Sequence, residues 1–206
     1  FLCAIHFDKN EHGIAFLDVS TGEFLIAQGN KEYIDKLIQG FEPTEIVYQK
    51  NRSKEFQETF GDRYYTFRLE DWVFTPDFAH ESLQKHFQTN SLKGFGIENL
   101  DKATIAAGAV LHYLGENQHD RLGHITTIAR IEEERYVWLD RFTVRNLELI
   151  SSAHENATTL ADVLDRTLTP MGGRMMKRWI VLPLKDERPI RDRLSAVAYL
   201  KENSAL

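Results

Sequence analysis

The hydrophobic pattern of this sequence changes its period along the chain, and this change limits the folds that the chain can adopt. Three short apolar runs come first, at residues 2–7, 13–19 and 22–27, joined by short polar connections typical of β-hairpins. Apolar residues then recur at helical spacing over residues 33–38, and Gly40 suits the C-cap of that helix. The sequence therefore predicts three antiparallel strands followed by a helix that ends at Gly40.

Two further strand-like runs complete this part of the chain. They cover residues 45–48 and 64–67, and Phe56 and Phe60 mark a short helix between them. The hairpins require antiparallel pairing, whereas the strand–helix–strand steps require parallel pairing through right-handed crossovers. The order β-β-β-α-β-α-β therefore predicts an α/β domain with a mixed sheet and flanking helices.

The pattern becomes helical after Pro76, where apolar stripes run over residues 79–87 and 105–113. A polar segment follows at residues 115–123, and beyond it helices dominate. Breaks in these helices are predicted at Pro170, Gly172, Gly173 and Pro183, and the cost of glycine inside a helix implies close packing or a first-turn position for the two glycines. The last helix has an apolar face formed by Ile190, Leu194 and Val197. We therefore expect an α/β domain over residues 1–132 and a partial all-α domain over residues 133–206.

The composition excludes several classes of protein. The only cysteine is Cys3, so an internal disulfide framework and a Cys-based zinc cluster are excluded, and a reducing compartment is favoured. No apolar run approaches the ~20 residues that a membrane-spanning helix needs. The formal net charge of -6 argues against a free-standing nucleic-acid binder. Because the chain begins without Met, we expect an excised piece of a longer protein.

Complete catalytic motifs are absent from the sequence. It contains no Gly-x-Ser-x-Gly, no Walker A loop and no Gly-x-Gly-x-x-Gly. The run from Ser82 to Lys85 fits Ser-x-x-Lys, but the companion motifs of that family are missing. The basic residues Arg174, Lys177 and Arg178 lie at helical spacing and could bind DNA, although a solvated helix face or one packed on acidic neighbours is the favoured interpretation.

Metal-binding residue types occur near the first hairpin. Residues 8–13 begin like a calcium loop, but the twelfth position of that loop, which must be a bidentate Glu, is Val19. His6, Asp8 and His12 are residue types that could bind a transition metal, but a polar turn is the favoured interpretation, so no metal site is expected.

Two-metal nuclease chemistry is a further alternative, because the β-β-β-α-β start resembles that of ribonuclease-H-like nucleases. Such a site needs convergent acids. Asp8 stands at the far end of the first strand, and Glu32 and Asp35 of the first helix are the other candidates. The second parallel strand ends without an acid, so we expect the architecture without the chemistry.

A succession of motifs in the second half resembles the MutS family of DNA mismatch repair proteins. They are Leu139-Asp140, Asn146-Leu147-Glu148-Leu149, Thr159-Leu160, Val163-Leu164-Asp165, Thr169-Pro170-Met171-Gly172, Arg174-Met175, Lys177-Arg178-Trp179 and Pro183-Leu184. The first half is similar to the connector domain of that family. Its motifs are Phe16-Leu17-Asp18-Val19-Ser20-Thr21-Gly22-Glu23-Phe24, Gly94-Phe95-Gly96-Ile97-Glu98 and Ala106-Ala107-Gly108.

This resemblance implies a connector domain with a ribonuclease-H-like α/β fold but no nuclease chemistry, followed by the beginning of the helical core domain. The chain itself would need no cofactor and would not be an enzyme. ATP and Mg²⁺ would bind to the ATPase domain of the parent protein, and its Walker A loop is not in this chain. The family's mismatch wedge, Phe-x-Glu, belongs to a preceding domain, so the Phe56-Gln57-Glu58 run is expected to have a different role, with Phe56 buried.

The resemblance also implies a function and partners. The segment would couple binding of mismatched DNA to the ATPase and to recruitment of MutL, within a homodimeric cytoplasmic protein of bacteria. DNA would be bound through domains outside this chain, and no membrane would be involved. The outward face of the helix over residues 77–88 is the candidate MutL-docking surface, through Glu81, Ser82, Gln84 and Lys85. The chain alone is expected to self-associate through apolar helix faces.

Overall fold

The computed structural model describes residues 1–117, 122–152, 154 and 157–203. The chain divides into two compact units, Phe1–Ile131 and Glu132–Leu206. The boundary predicted from the sequence lies one residue later, between residues 132 and 133. Residues 118–121 of the predicted polar segment lie outside the described residues. In the part of the chain that the structure describes, no helix is long and apolar enough to cross a bilayer.

The described part of the first unit contains a mixed six-stranded sheet. Its strands are β1 Leu2–His6, β2 His12–Asp18, β3 Glu23–Gly29, β4 Glu45–Gln49, β5 Tyr65–Leu69 and β6 Ala129–Arg130, in the spatial order β5-β4-β1-β2-β3-β6. The strand β2 pairs antiparallel with β1 and β3, whereas β4 pairs in parallel with β1 and β5. The predicted mixed pairing is therefore confirmed. The sequence did not predict β6, because a strand of two residues has no detectable period.

Four helices flank the sheet in the described residues of this unit. They are α1 Lys31–Phe41, α2 Ser53–Phe60, α3 Pro76–Phe87 and α4 Asp101–Glu116. The predicted end of α1 at Gly40 is wrong. The helix continues to Phe41, whose buried ring stacks on Phe16 at a centroid distance of 4.3 Å. Glu42 then ends the helix in a left-handed conformation, with φ of 43°, and donates its N–H to the carbonyl of Ile38.

The two faces of the sheet are covered by different helices, because successive side chains of a strand point to opposite sides. Leu2, Ala4 and Leu17 point to the face on which α3 and α4 pack. Phe16 and Tyr48 point to the other face, where they stack on Phe41 of α1 and Phe56 of α2. The first unit is therefore a three-layer α/β structure with a core on each side of its sheet.

Glycines bring the backbones of one helical layer and the sheet close together. An added Cβ at Gly13 of β2 would lie 1.9 Å from the carbonyl oxygen of Lys102 in α4. An added Cβ at Gly108 of α4 would lie 2.6 Å from the Cα of Ala79 in α3. These contacts hold α4 against the sheet and α3 against α4 at distances that no larger side chain allows.

The second unit is helical. Its described helices are α5 Arg141–Asn146, α6 Leu160–Leu164, α7 Pro170–Val181 and α8 Glu187–Glu202. The first-turn position implied for Gly172 and Gly173 is confirmed, and the helix is not broken there. Both glycines lie in the first turn of α7, where the N–H of Gly172 donates to the Thr169 hydroxyl at 3.1 Å. Trp179 is half-buried beneath the Arg193 guanidinium, at 4.0 Å from the ring centroid, rather than a fully buried core residue.

We predict that Gly13→Ala lowers the free energy of unfolding of the chain by about 3 kcal/mol, since its Cβ must displace the backbone of Lys102. Gly94→Ala is the matched control, because an added Cβ there meets no atom within 4 Å. Urea denaturation followed by circular dichroism compares the two variants. Equal stability of both variants would contradict the close approach of α4 to the sheet.

Candidate docking surface

The four residues predicted to dock a partner lie on the outward side of α3. Glu81 and Lys85 are exposed, and Ser82 and Gln84 are half-buried. The side-chain amide of Gln84 donates to the carbonyl of Asn90 at 3.1 Å, which holds this side chain along the helix. On its inner side the helix is anchored by residues that are fully buried, Ala79 and Leu83. The helix therefore presents charged side chains from a fixed position, and their role in docking stays a prediction.

An aromatic cluster formed by Trp72, Phe78 and His112 lies beside these residues. The Trp72 ring meets Phe78 and His112 edge-on at centroid distances of 5.0 and 5.2 Å, and Phe78 meets His112 at 5.3 Å. Trp72 nevertheless leaves 54% of its surface exposed. No sequence pattern indicated this cluster. The signal available was a tryptophan directly after an acid, in a short turn with no apolar period.

The alternative of a transition-metal site at His6, Asp8 and His12 is not supported by the contacts of these side chains. Nδ1 of His6 faces the side-chain amide of Gln49 at 3.1 Å, and its ring stacks on Phe74. The Asp8 carboxylate pairs with the Lys102 ammonium at 2.5 Å, and His12 Nδ1 accepts from the Asp8 N–H at 3.3 Å. Among the residues that the structure describes, no three His, Cys, Asp or Glu side chains are grouped to hold a metal.

The polar side chains at this end of the sheet have partners, and burial and these partners shift their pKa values. Burial, and then the charge of Lys102, lower the pKa of His6 from 6.5 to about 4, so the imidazole is neutral at pH 7. The hydrogen bond from the Lys102 ammonium, assisted by the N–H of Lys9, lowers the pKa of Asp8 to about 2. Asp8 is therefore an ionised carboxylate held by a cation, and its lowered pKa makes it unsuitable as a general acid at pH 7.

The nuclease alternative is not supported. Asp8 is held by Lys102 on the α4 side of the sheet, whereas Glu32 and Asp35 belong to α1, which packs on the other side. The Asp35 carboxylate accepts a hydrogen bond from the side-chain amide of Gln39 at 2.5 Å. The acids that the sequence offered therefore do not converge as a two-metal site requires.

The basic residues of α7 are placed as the favoured interpretation expects. Arg174 and Arg178 are half-buried, and Lys177 is exposed. Hydrogen bonds from Thr159, and to a smaller extent the charge of Lys177, lower the pKa of Asp162. A corresponding contribution from Lys177 acts on Asp165 after that of Thr167. The Lys177 ammonium therefore lies near acidic side chains of the same unit.

The Phe56-Gln57-Glu58 run is part of the core of the first unit. Phe56 is buried, and its ring stacks on Tyr48 at 4.2 Å and contacts Phe60 at 5.2 Å. The prediction that Phe56 is buried is therefore confirmed. Its ring cannot reach into DNA from this position without unfolding α2.

Comparison with known proteins identifies both units. Residues 1–126 match the family model of MutS domain II, and residues 142–206 match that of MutS domain III. The chain is 58% identical over 203 residues to the DNA mismatch repair protein MutS of Flavobacterium johnsoniae, and 59% identical over 203 residues to that of Christiangramia forsetii. Each alignment covers 98% of this chain and 23% of the relative. The MutS protein of Bacteroides thetaiotaomicron is 54% identical over 199 residues, which are 97% of this chain and 23% of that protein. The chain thus spans about a quarter of the length of these relatives.

We predict that His6 makes the chain less stable as the pH falls from 6.5 to 4. In this window the unfolded chain binds a proton at position 6 that the folded chain excludes, whereas above pH 6.5 both states are neutral. The lowered pKa corresponds to a loss of about 3 kcal/mol across the window. Urea denaturation at successive pH values should show a shallower loss for His6→Gln than for the wild type.

The exposed His80 provides the control, and His80→Gln should keep the wild-type dependence on pH. Asp8 acts in a different window, because its stabilising effect is present above pH 3.8 and is lost as the pH falls to about 2. Equal losses between pH 6.5 and 4 for the wild type and His6→Gln would contradict the burial of a neutral imidazole.

Proposed function

Because this chain belongs to the MutS family of DNA mismatch repair proteins, we propose that it acts as a mechanical link within such a protein. In this proposal the first unit is the connector and the second unit begins the core. Together they couple the binding of mismatched DNA to the ATPase and to the recruitment of MutL. The observation that carries the proposal is α3, a helix anchored on α4 by the Ala79–Gly108 contact that presents a charged outer face.

The connector role includes a ribonuclease-H-like fold. The order β3-β2-β1-β4-β5, with β2 as the antiparallel strand, supports this assignment. In this proposal the fold has been retained as a rigid platform rather than for its chemistry. The polar groups at the end of β1 support that view, since each has a partner within the protein. Asp8 pairs with Lys102, and the Gln49 side chain contacts His6 Nδ1 and accepts from the Phe7 N–H.

The chemistry of the whole protein is assigned to other parts. In this proposal ATP and Mg²⁺ bind to the ATPase domain of a homodimeric, cytoplasmic parent protein, and mismatched DNA binds to domains outside this chain. The segment itself needs no cofactor. The acidic balance of the chain, with 31 Asp and Glu against 25 Lys and Arg, supports a role away from the phosphate backbone.

MutL docking is assigned to the outward face of α3, through Glu81, Ser82, Gln84 and Lys85. Docking onto a helix that does not move relative to its own sheet loses little conformational entropy. The fully buried Ala79 and Leu83 support this condition. Exposed charges of both signs on the helix can select a complementary partner and increase its rate of association.

We predict that exchanging the charges of α3, as Glu81→Lys with Lys85→Glu, weakens MutL binding by a full-length MutS protein that carries this segment by roughly tenfold. Affinity for mismatched DNA should not change. The matched control is the exposed pair Lys54 and Glu58 of α2, exchanged in the same way. Surface-bound mismatched DNA, loaded with the protein and ATP, allows MutL binding to be measured by interferometry. Wild-type recruitment by the α3 variant would contradict docking at this face.

Self-association of the 206-residue chain is proposed through the apolar face of α8. Leu194 and Val197 expose 63% and 57% of their surfaces, and Ile190 continues the same face with 37% exposed. The same side chains were expected from the sequence to form an apolar stripe. A stripe of this kind promotes association between copies.

We predict that the chain forms dimers or larger species as its concentration rises from about 10 µM to about 1 mM, a range in which weak apolar contacts are populated. Leu194→Gln with Val197→Gln should shift the chain towards the monomer, and light scattering reports the molar mass. Lys54→Gln on α2 serves as the control. A wild-type chain that stays monomeric throughout would contradict this proposal.

A further inference from the structure

We propose that Trp72, supported by Phe78 and His112, is the apolar anchor of the docking surface on α3. In the complex, the Trp72 side chain would insert into an apolar socket of the partner, and Lys and Arg side chains would surround that socket. This inference rests on the proposed function, because it assigns the main contact residue of the same surface. It adds a residue that lies outside α3 and that none of the sequence motifs indicated.

The position of Trp72 is fixed by the turn that carries it. The turn Asp71–Phe74 buries Val73 and Phe74, which expose only 1% and 5% of their surfaces. The Val73 N–H donates to the Glu70 carbonyl at 3.1 Å, and the Thr75 hydroxyl donates to the Trp72 carbonyl at 2.9 Å. Trp72 is thus followed by two buried residues in a hydrogen-bonded turn, yet more than half of its surface faces solvent. An aromatic side chain held in this way can bind with little loss of conformational entropy.

Trp72 and the charged face of α3 form one continuous surface through Phe78. Residues spaced three, four and seven apart are neighbours along one side of a helix. Phe78 is followed at these spacings by Glu81, Ser82 and Lys85. The Trp72 ring packs on Phe78 at 5.0 Å and therefore extends this row of residues beyond the first turn of the helix. A partner that covers Glu81 and Ser82 would also reach Trp72.

The charges around the aromatic cluster specify the occupant. The exposed acidic side chains around this cluster are those of Asp71, Asp77, Glu81 and Glu116. Oε1 of Glu116 lies 3.6 Å from Nε2 of His112. This acidic rim repels the phosphates of DNA and favours a basic protein surface. A large aromatic residue surrounded by polar residues is the arrangement in which most of the binding energy of a protein interface is concentrated. The occupant is therefore a protein with an apolar socket among basic side chains.

A second exposed aromatic side chain provides the matched control. Phe67 of β5 exposes 45% of its surface and packs on Tyr113 at 5.1 Å. It resembles Trp72 in size and exposure, but its ring contact is to Tyr113 rather than to a residue of α3. Loss of Phe67 should therefore leave docking intact if the anchor is specific.

The experiment measures purified MutL binding to a full-length MutS protein that carries this segment, on mismatched DNA with ATP. Trp72→Ala should weaken MutL binding by roughly thirtyfold, the loss typical of a central anchor residue. Phe67→Ala should change it by less than about twofold, as for residues outside such a centre. Affinity for mismatched DNA should be unchanged in both variants. Binding should also weaken as NaCl rises from about 50 to about 200 mM, because salt screens a basic socket from the acidic rim.

A second variant guards against a folding defect in Trp72→Ala. Trp72→Lys keeps an aliphatic stem across Phe78 and places a cation against the proposed basic socket. It should weaken MutL binding at least as much as Trp72→Ala, and thermal melting followed by circular dichroism identifies variants that retain the fold. A folded Trp72→Lys variant with wild-type binding would overturn the anchor.

The outcomes separate this inference from the proposed function. If exchanging the charges of Glu81 and Lys85 weakens recruitment but the folded Trp72 variants bind MutL as the wild type does, the anchor is wrong and docking on α3 stands. If neither set of variants changes recruitment, the docking surface itself is wrong. Binding that does not depend on salt would overturn the basic socket.

Discussion

The close packing of α4 against the sheet is the constraint on which the first unit depends. Gly13 lets the backbone of α4 approach β2, and Gly108 lets α3 approach α4. These two contacts set the position of α3 relative to the sheet, and α4 also supplies His112, on which Trp72 rests. The backbone contacts of two glycines thus determine where the charged and aromatic groups of the candidate docking surface lie.

Most of the fold was predictable because the central strands are short apolar runs, buried on both faces and bounded by polar turns, whereas α1 repeats its apolar residues at helical spacing. The pairing directions followed from connection lengths. The end of α1 could not be read from Gly40, because burial of Phe41 on Phe16 extends the helix and forces Glu42 into a left-handed conformation. Gly172 and Gly173 do not interrupt α7, because Thr169 caps the helix and places both glycines in its first turn.

The candidate site was only partly predictable, for a related reason. The exposure of Glu81 and Lys85 follows from the helical period of α3 alone. The aromatic cluster could not be predicted, because it includes His112, which lies 40 positions after Trp72 in the chain and contacts it only in the folded unit. The metal and nuclease alternatives, which the sequence already disfavoured, are not supported because of the same kind of contact. Lys102 and Gln49, both distant in sequence, bind Asp8 and His6.

The central claim is that α3 is a docking face whose use depends on mismatched DNA and ATP. The most direct measurement is photo-crosslinking in a full-length MutS protein that carries this segment, with a photoreactive residue at the exposed position of His80. The same residue at Lys54 on α2, on the other side of the sheet, is the reference position. The account predicts crosslinks to MutL from position 80 only when mismatched DNA and ATP are both present, and none from position 54. Equal crosslinking from both positions, or none from position 80, would contradict it.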